Sequence, residues 1–67
     1  MMRIEQLRCL QVFLNSGFEN YNEATNLEHI FLGQRTGCRC KYNQVRSALN
    51  QFWETTGKKE LEELENA

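Results

Sequence analysis

The apolar residues between positions 45 and 53 recur at the spacing of an amphipathic helix, and this pattern constrains the fold more than any other. Positions i, i+3, i+4, i+7 and i+8 of this stretch are all apolar and fall on one side of a helix: Val45, Ala48, Leu49, Phe52 and Trp53. The pattern predicts a helix from Asn43 to about Thr55. Asn43 is a suitable N-cap, and Gly57 is expected to end the helix.

A second apolar pattern predicts a helix over Arg3–Asn15, ahead of Gly17. One of its faces carries four aliphatic residues at helical spacing: Ile4, Leu7, Leu10 and Leu14. Cys9, Phe13 and Val12 add further apolar positions around the helix. A helix this apolar is expected to lie at the centre of the domain, with neighbours on two sides and Cys9 buried as a small hydrophobe.

The segment between these helices allows two interpretations. Asn20 followed by Glu23 resembles a capping box, which predicts a helix from Tyr21 or Asn22 to Leu32. The alternative is a β-hairpin at about 29–42. Its strands would be 29–32 and 38–42, joined by the glycine-containing turn 33–37.

The chain has 67 residues, so it forms one domain at most. A last helix, Lys58 to Glu65, is expected to dock through Leu61 and Leu64, with fraying over 58–67 because its C-terminal end is acidic. In so short a chain, Phe52 and Trp53 are needed in the core. The sequence therefore predicts a mainly α, helix-turn-helix-like domain of three to four helices over 1–67, or an α+β domain if the hairpin forms.

Charge is sorted along the chain. The stretch from Gly33 to Arg46 sums to +4, because it holds four cations and no acidic residue: Arg35, Arg39, Lys41 and Arg46. The neighbouring stretches 18–32 (three Glu) and 47–67 (two Lys against five Glu) each sum to −3, and the whole chain to −1. A local cationic segment beside a helix favours an anion-binding surface, most simply for nucleic acid.

The polar face of the third predicted helix fits base recognition. Asn and Arg side chains match the paired donors and acceptors of adenine and guanine in the major groove. We expect Asn43, Arg46, Ser47 and Asn50 to face bases, while Arg35, Arg39, Lys41 and Arg46 contact phosphate. The plain alternative is an exposed loop followed by a solvent-facing helix.

Two stretches resemble a known family. Residues 2–18, MRIEQLRCLQVFLNSGF, resemble the opening helix of LysR-type transcriptional regulators, and residues 45–57 resemble the segment after their recognition helix, with Leu49, Phe52 and Gly57 at similar offsets. The resemblance implies a winged helix-turn-helix that binds DNA as a dimer. The segment between the two stretches is longer than in that family, and the Ser-Gln-Pro-Ala-like run that starts the family's recognition helix is missing.

The cysteines are expected to be reduced thiols. The chain has three, and the Cys38-x-Cys40 spacing is poor for a structural disulfide. Arg39 and Lys41 favour the thiolate, so Cys38 or Cys40 is expected to be reactive. The alternative is a zinc site made by Cys9, His29, Cys38 and Cys40, but their spacing is unlike that of zinc ligands, and no metal or cofactor is predicted.

Other classes of function find little support. The single His29 has no nucleophile pattern near it, no phosphate-binding glycine loop is present, and no apolar run is long enough to cross a bilayer. We therefore predict a non-catalytic cytoplasmic protein that binds nucleic acid, DNA rather than RNA, with homodimerisation as a way to add burial. The alternative is a protein-interaction or inhibitory module with an acidic partner protein.

Overall fold

The computed structural model describes residues 2–17 and 19–66, and these residues form helices joined by short connections. The elements follow one another in the order α1 (Arg3–Asn15), α2 (Tyr21–Leu32), a 3-10 turn (Arg39–Lys41), α3 (Tyr42–Phe52), a π-helical turn (Trp53–Gly57) and α4 (Lys58–Glu65). The mainly helical prediction is confirmed. Phe18, the last residue of the stretch that resembles the LysR-type opening helix, lies outside the described residues.

The hairpin alternative is wrong. Residues 29–32 complete α2, residues 38–42 lead through the 3-10 turn into α3, and no strand occurs within 2–17 and 19–66. Asn20 caps α2 as predicted, since its Oδ1 accepts a hydrogen bond from the Glu23 backbone N–H at 3.1 Å. Gly33 ends α2 in the left-handed conformation, with φ of 68°, which glycine adopts without steric cost.

Helix α1 has the predicted bounds, but only one of its faces is buried. Leu7, Leu10 and Phe13 lie in the core. Val12 is 65% exposed and Cys9 is exposed as well, so the prediction of a buried Cys9 is wrong. Helix α1 meets both α2 and α4, because the Arg3 guanidinium carbon lies 4.7 Å from the centre of the Phe31 ring and Arg3 also pairs with Glu60.

Helix α3 begins earlier than predicted. It starts at Tyr42, and the residue before it, Lys41, makes no side-chain cap. The prediction that Asn43 caps this helix is wrong, because Asn43 already lies in the first turn. The 3-10 turn leads the chain into the helix, with the Lys41 N–H donating to the Cys38 carbonyl at 3.0 Å.

Gly57 does not end the helix, which corrects the second boundary prediction. Backbone angles at Phe52, Trp53, Gly57 and Lys58 are all right-handed helical, so α3, the π-helical turn and α4 form one continuous rod. The Lys58 N–H donates to the Trp53 carbonyl, five residues back, which is the hydrogen bond of a π-turn. Gly57 is buried, and a Cβ built on it would lie 2.9 Å from Cε3 of Trp53. The glycine therefore permits close packing.

One small core joins the helices. Nine apolar residues are buried: Leu7, Leu10, Phe13, Ala24, Leu27, Val45, Leu49, Trp53 and Leu61. The prediction that Trp53 belongs to the core is confirmed, and Phe52 packs against it with its ring 5.1 Å from that of Phe31. Leu61 docks α4 as predicted, whereas Leu64 is 38% exposed and does not.

Ion pairs join α1 to α4. Arg3 Nε lies 2.6 Å from Glu60 Oε2, and Arg8 Nη2 lies 3.0 Å from Glu65 Oε2. The hydrogen bond from Arg3 lowers the pKa of the Glu60 carboxyl below its ordinary value, although partial burial acts in the opposite direction. These pairs attach the acidic C-terminal helix to the basic residues of α1 in a molecule that measures 39 × 20 × 18 Å.

Candidate functional site

The polar face of α3 forms an open depression on the surface. Its lining consists of Asn43, Arg46, Ser47 and Asn50, and we call these four residues the α3 polar face. They stand at i, i+3, i+4 and i+7, so the helix itself brings them to one side, and all four are exposed. Their side chains offer amide, hydroxyl and guanidinium groups to a ligand.

Arg39 is held next to this face by aromatic contacts. The guanidinium carbon of Arg39 lies 5.0 Å from the centre of the Tyr21 ring. The Tyr21 ring meets the Tyr42 ring edge-on, with centroids 5.5 Å apart. Tyr42 is the first residue of α3, so the two tyrosines connect the 3-10 turn to the N-terminal end of the α3 polar face.

The pKa of the Tyr42 phenol is affected by burial and by two nearby arginines. Burial raises the pKa of Tyr42, while the positive charges of Arg46 and Arg39 act in the opposite direction. Both guanidinium groups are therefore close enough to the phenol to affect it electrostatically. Two of the predicted cations thus lie near the half-buried Tyr42 ring.

A buried carboxylate fixes the loop that precedes the 3-10 turn. Glu28 on α2 is only 2% exposed. Its Oε1 accepts the Thr36 backbone N–H at 2.9 Å, and its Oε2 accepts the Thr36 hydroxyl at 2.6 Å. The Tyr21 hydroxyl donates to the Thr36 carbonyl at 3.4 Å. Because a buried charge is costly unless it is hydrogen-bonded, these contacts hold the loop against α2.

Cys38 and Cys40 form a disulfide, so the prediction of reduced thiols at these positions is wrong. The bond links the residue before the 3-10 turn to the middle of that turn and encloses Arg39 between its ends. The zinc alternative is not assembled either. Within the described part of the chain, no three His, Cys, Asp or Glu side chains come together as a metal-binding group.

The cations of the loop and the 3-10 turn are available to a ligand. Among the described residues, neither Arg35, Arg39 nor Lys41 forms an ion pair with a carboxylate, and all three are exposed. The amino-acid sequence alone does not show this, because the chain contains nine acidic residues that could have neutralised them. Glu54, exposed one turn beyond Asn50, gives the α3 surface a negative end.

The structure brings most of the predicted site together. The α3 polar face is a single surface, and Lys41 directly precedes α3. Arg39 contacts the Tyr21 ring, which in turn contacts Tyr42 at the start of α3. Arg35 is different, because no contact within 2–17 and 19–66 connects it with that face. The sequence interpretation missed Glu28, which shares a helix face with Ala24 and Leu27, and that spacing is the signal that could have found it.

Comparison with protein-family models, with curated proteins and with solved structures finds no match to this chain. The resemblance to LysR-type regulators therefore stays a prediction. In the described residues, the helices are too short or too polar to span a membrane.

Proposed function

We propose that this protein is a non-catalytic nucleic-acid-binding protein that uses the α3 polar face and the cations before it. Asn43, Arg46, Ser47 and Asn50 contact base edges. Arg39 and Lys41, with Arg35 further out, contact phosphates. DNA is favoured over RNA, because an exposed helix with Asn and Arg side chains fits the major groove of B-form DNA, whereas the A-form groove is too narrow for side chains to read.

The observation that carries the proposal is the difference in pairing among the cations. Arg3 and Arg8 are paired with the acidic residues of α4, whereas Arg35, Arg39 and Lys41 meet no carboxylate in the described residues. Three cations that are unpaired within this part of the chain thus lie in the connection that leads into α3, whereas the other two, Lys58 and Lys59, lie at the far end of the rod among acidic residues. The positive end of the α3 dipole adds to their field.

The dimensions also fit. Asn43 and Asn50 are seven positions apart, which is roughly 10 Å along a helix, or about three base pairs of DNA. A footprint this small gives weak binding as a monomer. The proposal therefore includes a homodimer that presents two such faces, as in other helix-turn-helix proteins. The connection from Gly33 to Lys41 is longer than the three- to four-residue turn of that motif, and the disulfide and the Thr36 contacts fix it instead.

The first test separates this surface from general charge attraction. The double variant Arg39→Gln/Lys41→Gln is compared with Lys58→Gln/Lys59→Gln, which removes the same charge from exposed positions of α4. Binding to a fluorescent DNA duplex is measured by anisotropy over a range of salt concentrations. We expect only the first variant to lose affinity, with the slope of log K against log salt falling by about 1.8 for two lost phosphate contacts. Equal losses in both variants contradict the proposal.

The second test concerns base recognition. Asn50→Ala is compared with the wild-type protein after selection from a pool of random duplexes, with light scattering to count subunits. If α3 reads bases, the variant loses discrimination at about one position, which corresponds to ~1–3 kcal/mol. Unchanged sequence preference shows that α3 is not the reading helix.

An acidic partner protein is the other outcome. In that case the wild-type protein shows no preference among DNA sequences and binds acidic polypeptides more tightly than DNA, and Arg39→Gln/Lys41→Gln weakens that binding instead. The proposal places the protein in the cytoplasm, where nucleic acid is accessible. Reduced thiols at Cys38 and Cys40 do not support that location, because the two residues are joined in a disulfide.

A further inference from the structure

We propose that the Cys38–Cys40 disulfide is a thiol–disulfide exchange site selective for anionic thiols, the class to which glutathione belongs. The inference goes beyond nucleic-acid binding and does not depend on it. It rests on three features of the same turn: the disulfide, its accessibility and the cations on both sides of Cys40.

The disulfide can be reached from solvent. Cys40 is exposed and Cys38 is half-buried, so an incoming thiolate meets the sulfur of Cys40 first. Attack there leaves Cys38 as the departing thiolate. The bond closes a loop of only three residues, so it can open without disturbing the core, whose buried residues lie outside 33–41.

The positive charges beside Cys40 favour thiols that carry a negative charge. Arg39 and Lys41 flank Cys40 in sequence and are exposed, and no carboxylate pairs with either of them among residues 2–17 and 19–66. Their positive charge attracts an anionic thiol and stabilises both the incoming and the departing thiolate. The free Cys9 on α1 is not flanked by two cations. The only charged residue next to it in sequence is Arg8, which is paired with Glu65.

The exchange balances in two steps. The thiolate of a first glutathione bonds to Cys40 Sγ, the Cys38–Cys40 bond breaks, and Cys38 takes the electron pair as a thiolate. A second glutathione thiolate bonds to the sulfur of the first, which releases Cys40 as a thiolate and gives glutathione disulfide. The protein gains two electrons from two glutathione thiols, and the two protons these thiols lost pass through solvent to the protein thiolates.

Opening the bond loosens the turn that positions Arg39. The Thr36 contacts with Glu28 remain, so the change is confined to the 3-10 turn and the start of α3. The disulfide closes a three-residue loop and so limits the conformations of the turn. The entropy of closing so short a loop corresponds to roughly a tenfold change in the equilibrium constant between the ordered and the loosened turn. Reduction is therefore expected to weaken contacts made by Arg39 on the order of tenfold at most.

The test compares thiols that differ in charge. A Cys9→Ser background removes the exposed free thiol. The reduction rate is followed by alkylation and mass spectrometry with 2-mercaptoethanesulfonate (anionic), 2-mercaptoethanol (neutral) and cysteamine (cationic). Each rate is divided by that of the same thiol with a small uncharged disulfide. We expect the anionic thiol to be about three- to tenfold faster than the neutral one and the cationic thiol to be slowest, with the differences lost at 1 M salt.

Matched variants locate the effect. Arg39→Gln/Lys41→Gln should abolish the ranking, while Lys58→Gln/Lys59→Gln should keep it. The proposal is overturned if the three thiols react alike in the wild-type turn, if the α4 variant loses the ranking equally, or if glutathione leaves the disulfide intact. None of these readouts uses nucleic acid. A protein that fails to bind DNA but shows the charge ranking disproves only the function proposed above.

Discussion

At the scale of single residues, Thr36 and Glu28 position the loop before α3. The carboxylate of Glu28 is buried, and both of its oxygens accept hydrogen bonds from Thr36. A charged buried group needs such partners, because its transfer out of water is otherwise costly. The two residues are eight apart in sequence, so this contact ties the loop back to α2.

Thr36→Val tests this contact. Valine has a similar shape but no hydroxyl, so Glu28 Oε2 loses its donor while the backbone hydrogen bond to Oε1 remains. We expect the free energy of unfolding to fall by about 1–3 kcal/mol. The measurement is urea unfolding followed by the fluorescence of Trp53. Thr36→Ser keeps the hydroxyl and serves as the control, and a valine variant as stable as the serine variant contradicts the assigned role.

At the scale of elements, the continuous rod from Tyr42 to Glu65 is the main feature. Trp53, Gly57 and Leu61, each four residues from the next, are all buried along it. Gly57 lies where a larger residue would meet the Trp53 ring. A glycine within a helix ordinarily lowers stability, so here close packing outweighs helix propensity.

Gly57→Ala separates these two effects. At an open helical position, alanine would stabilise by about 1 kcal/mol. At this site the added Cβ lies 2.9 Å from Trp53 Cε3 and 3.4 Å from Phe52 Cε1, so overpacking of about 1–3 kcal/mol opposes that gain.

We therefore expect Gly57→Ala to leave stability unchanged or lower it by up to about 2 kcal/mol in urea unfolding. Thr56→Ala, at the exposed neighbouring position of the same turn, is the control and should not be destabilising. A clear stabilisation by Gly57→Ala would mean that the Trp53 ring moves aside without cost.

At the scale of the whole molecule, charge pairing links the two ends of the chain. Arg3 and Arg8 meet Glu60 and Glu65 across the α1–α4 contact. Two of the acidic C-terminal residues are thereby engaged with the N-terminal helix, and neither pairs with the cations in the middle of the chain. The proposed binding surface depends on this division.

The Arg3–Glu60 pair makes stability depend on pH. Because the folded-state pKa of Glu60 lies below its ordinary value of 4.5, the stabilisation by the pair is complete above that pH and is lost as the pH falls through the folded-state pKa. Both side chains are partly exposed, so the effect is about 0.2–1 kcal/mol.

Glu60→Gln should therefore be less stable than the wild-type protein near neutral pH, with the difference shrinking in acid. Thermal unfolding by circular dichroism over a pH series measures this. Glu62→Gln, exposed on the same helix, should show no such pH-dependent difference. A constant difference at every pH would assign the loss to packing.

The bounds of α1 and α2 could be predicted because they depend on neighbours in sequence: the spacing of apolar residues, Asn20 ahead of Glu23, and Gly33 at the end of a pattern. The end of α3 could not, because a glycine has two opposite uses. It ends a helix when its backbone is left-handed, and it permits close contact when its backbone is helical. Only the position of the Trp53 ring decides between them at Gly57.

The sequence by itself determined the helical class, the faces that Leu7, Leu10, Val45 and Leu49 bury, and the grouping of Asn43, Arg46, Ser47 and Asn50 on one side of α3. These follow from the period of a helix, which is a local property. Only the tertiary structure decided which cations meet carboxylates and that Glu28 is buried. Those outcomes depend on distances between atoms that folding brings together.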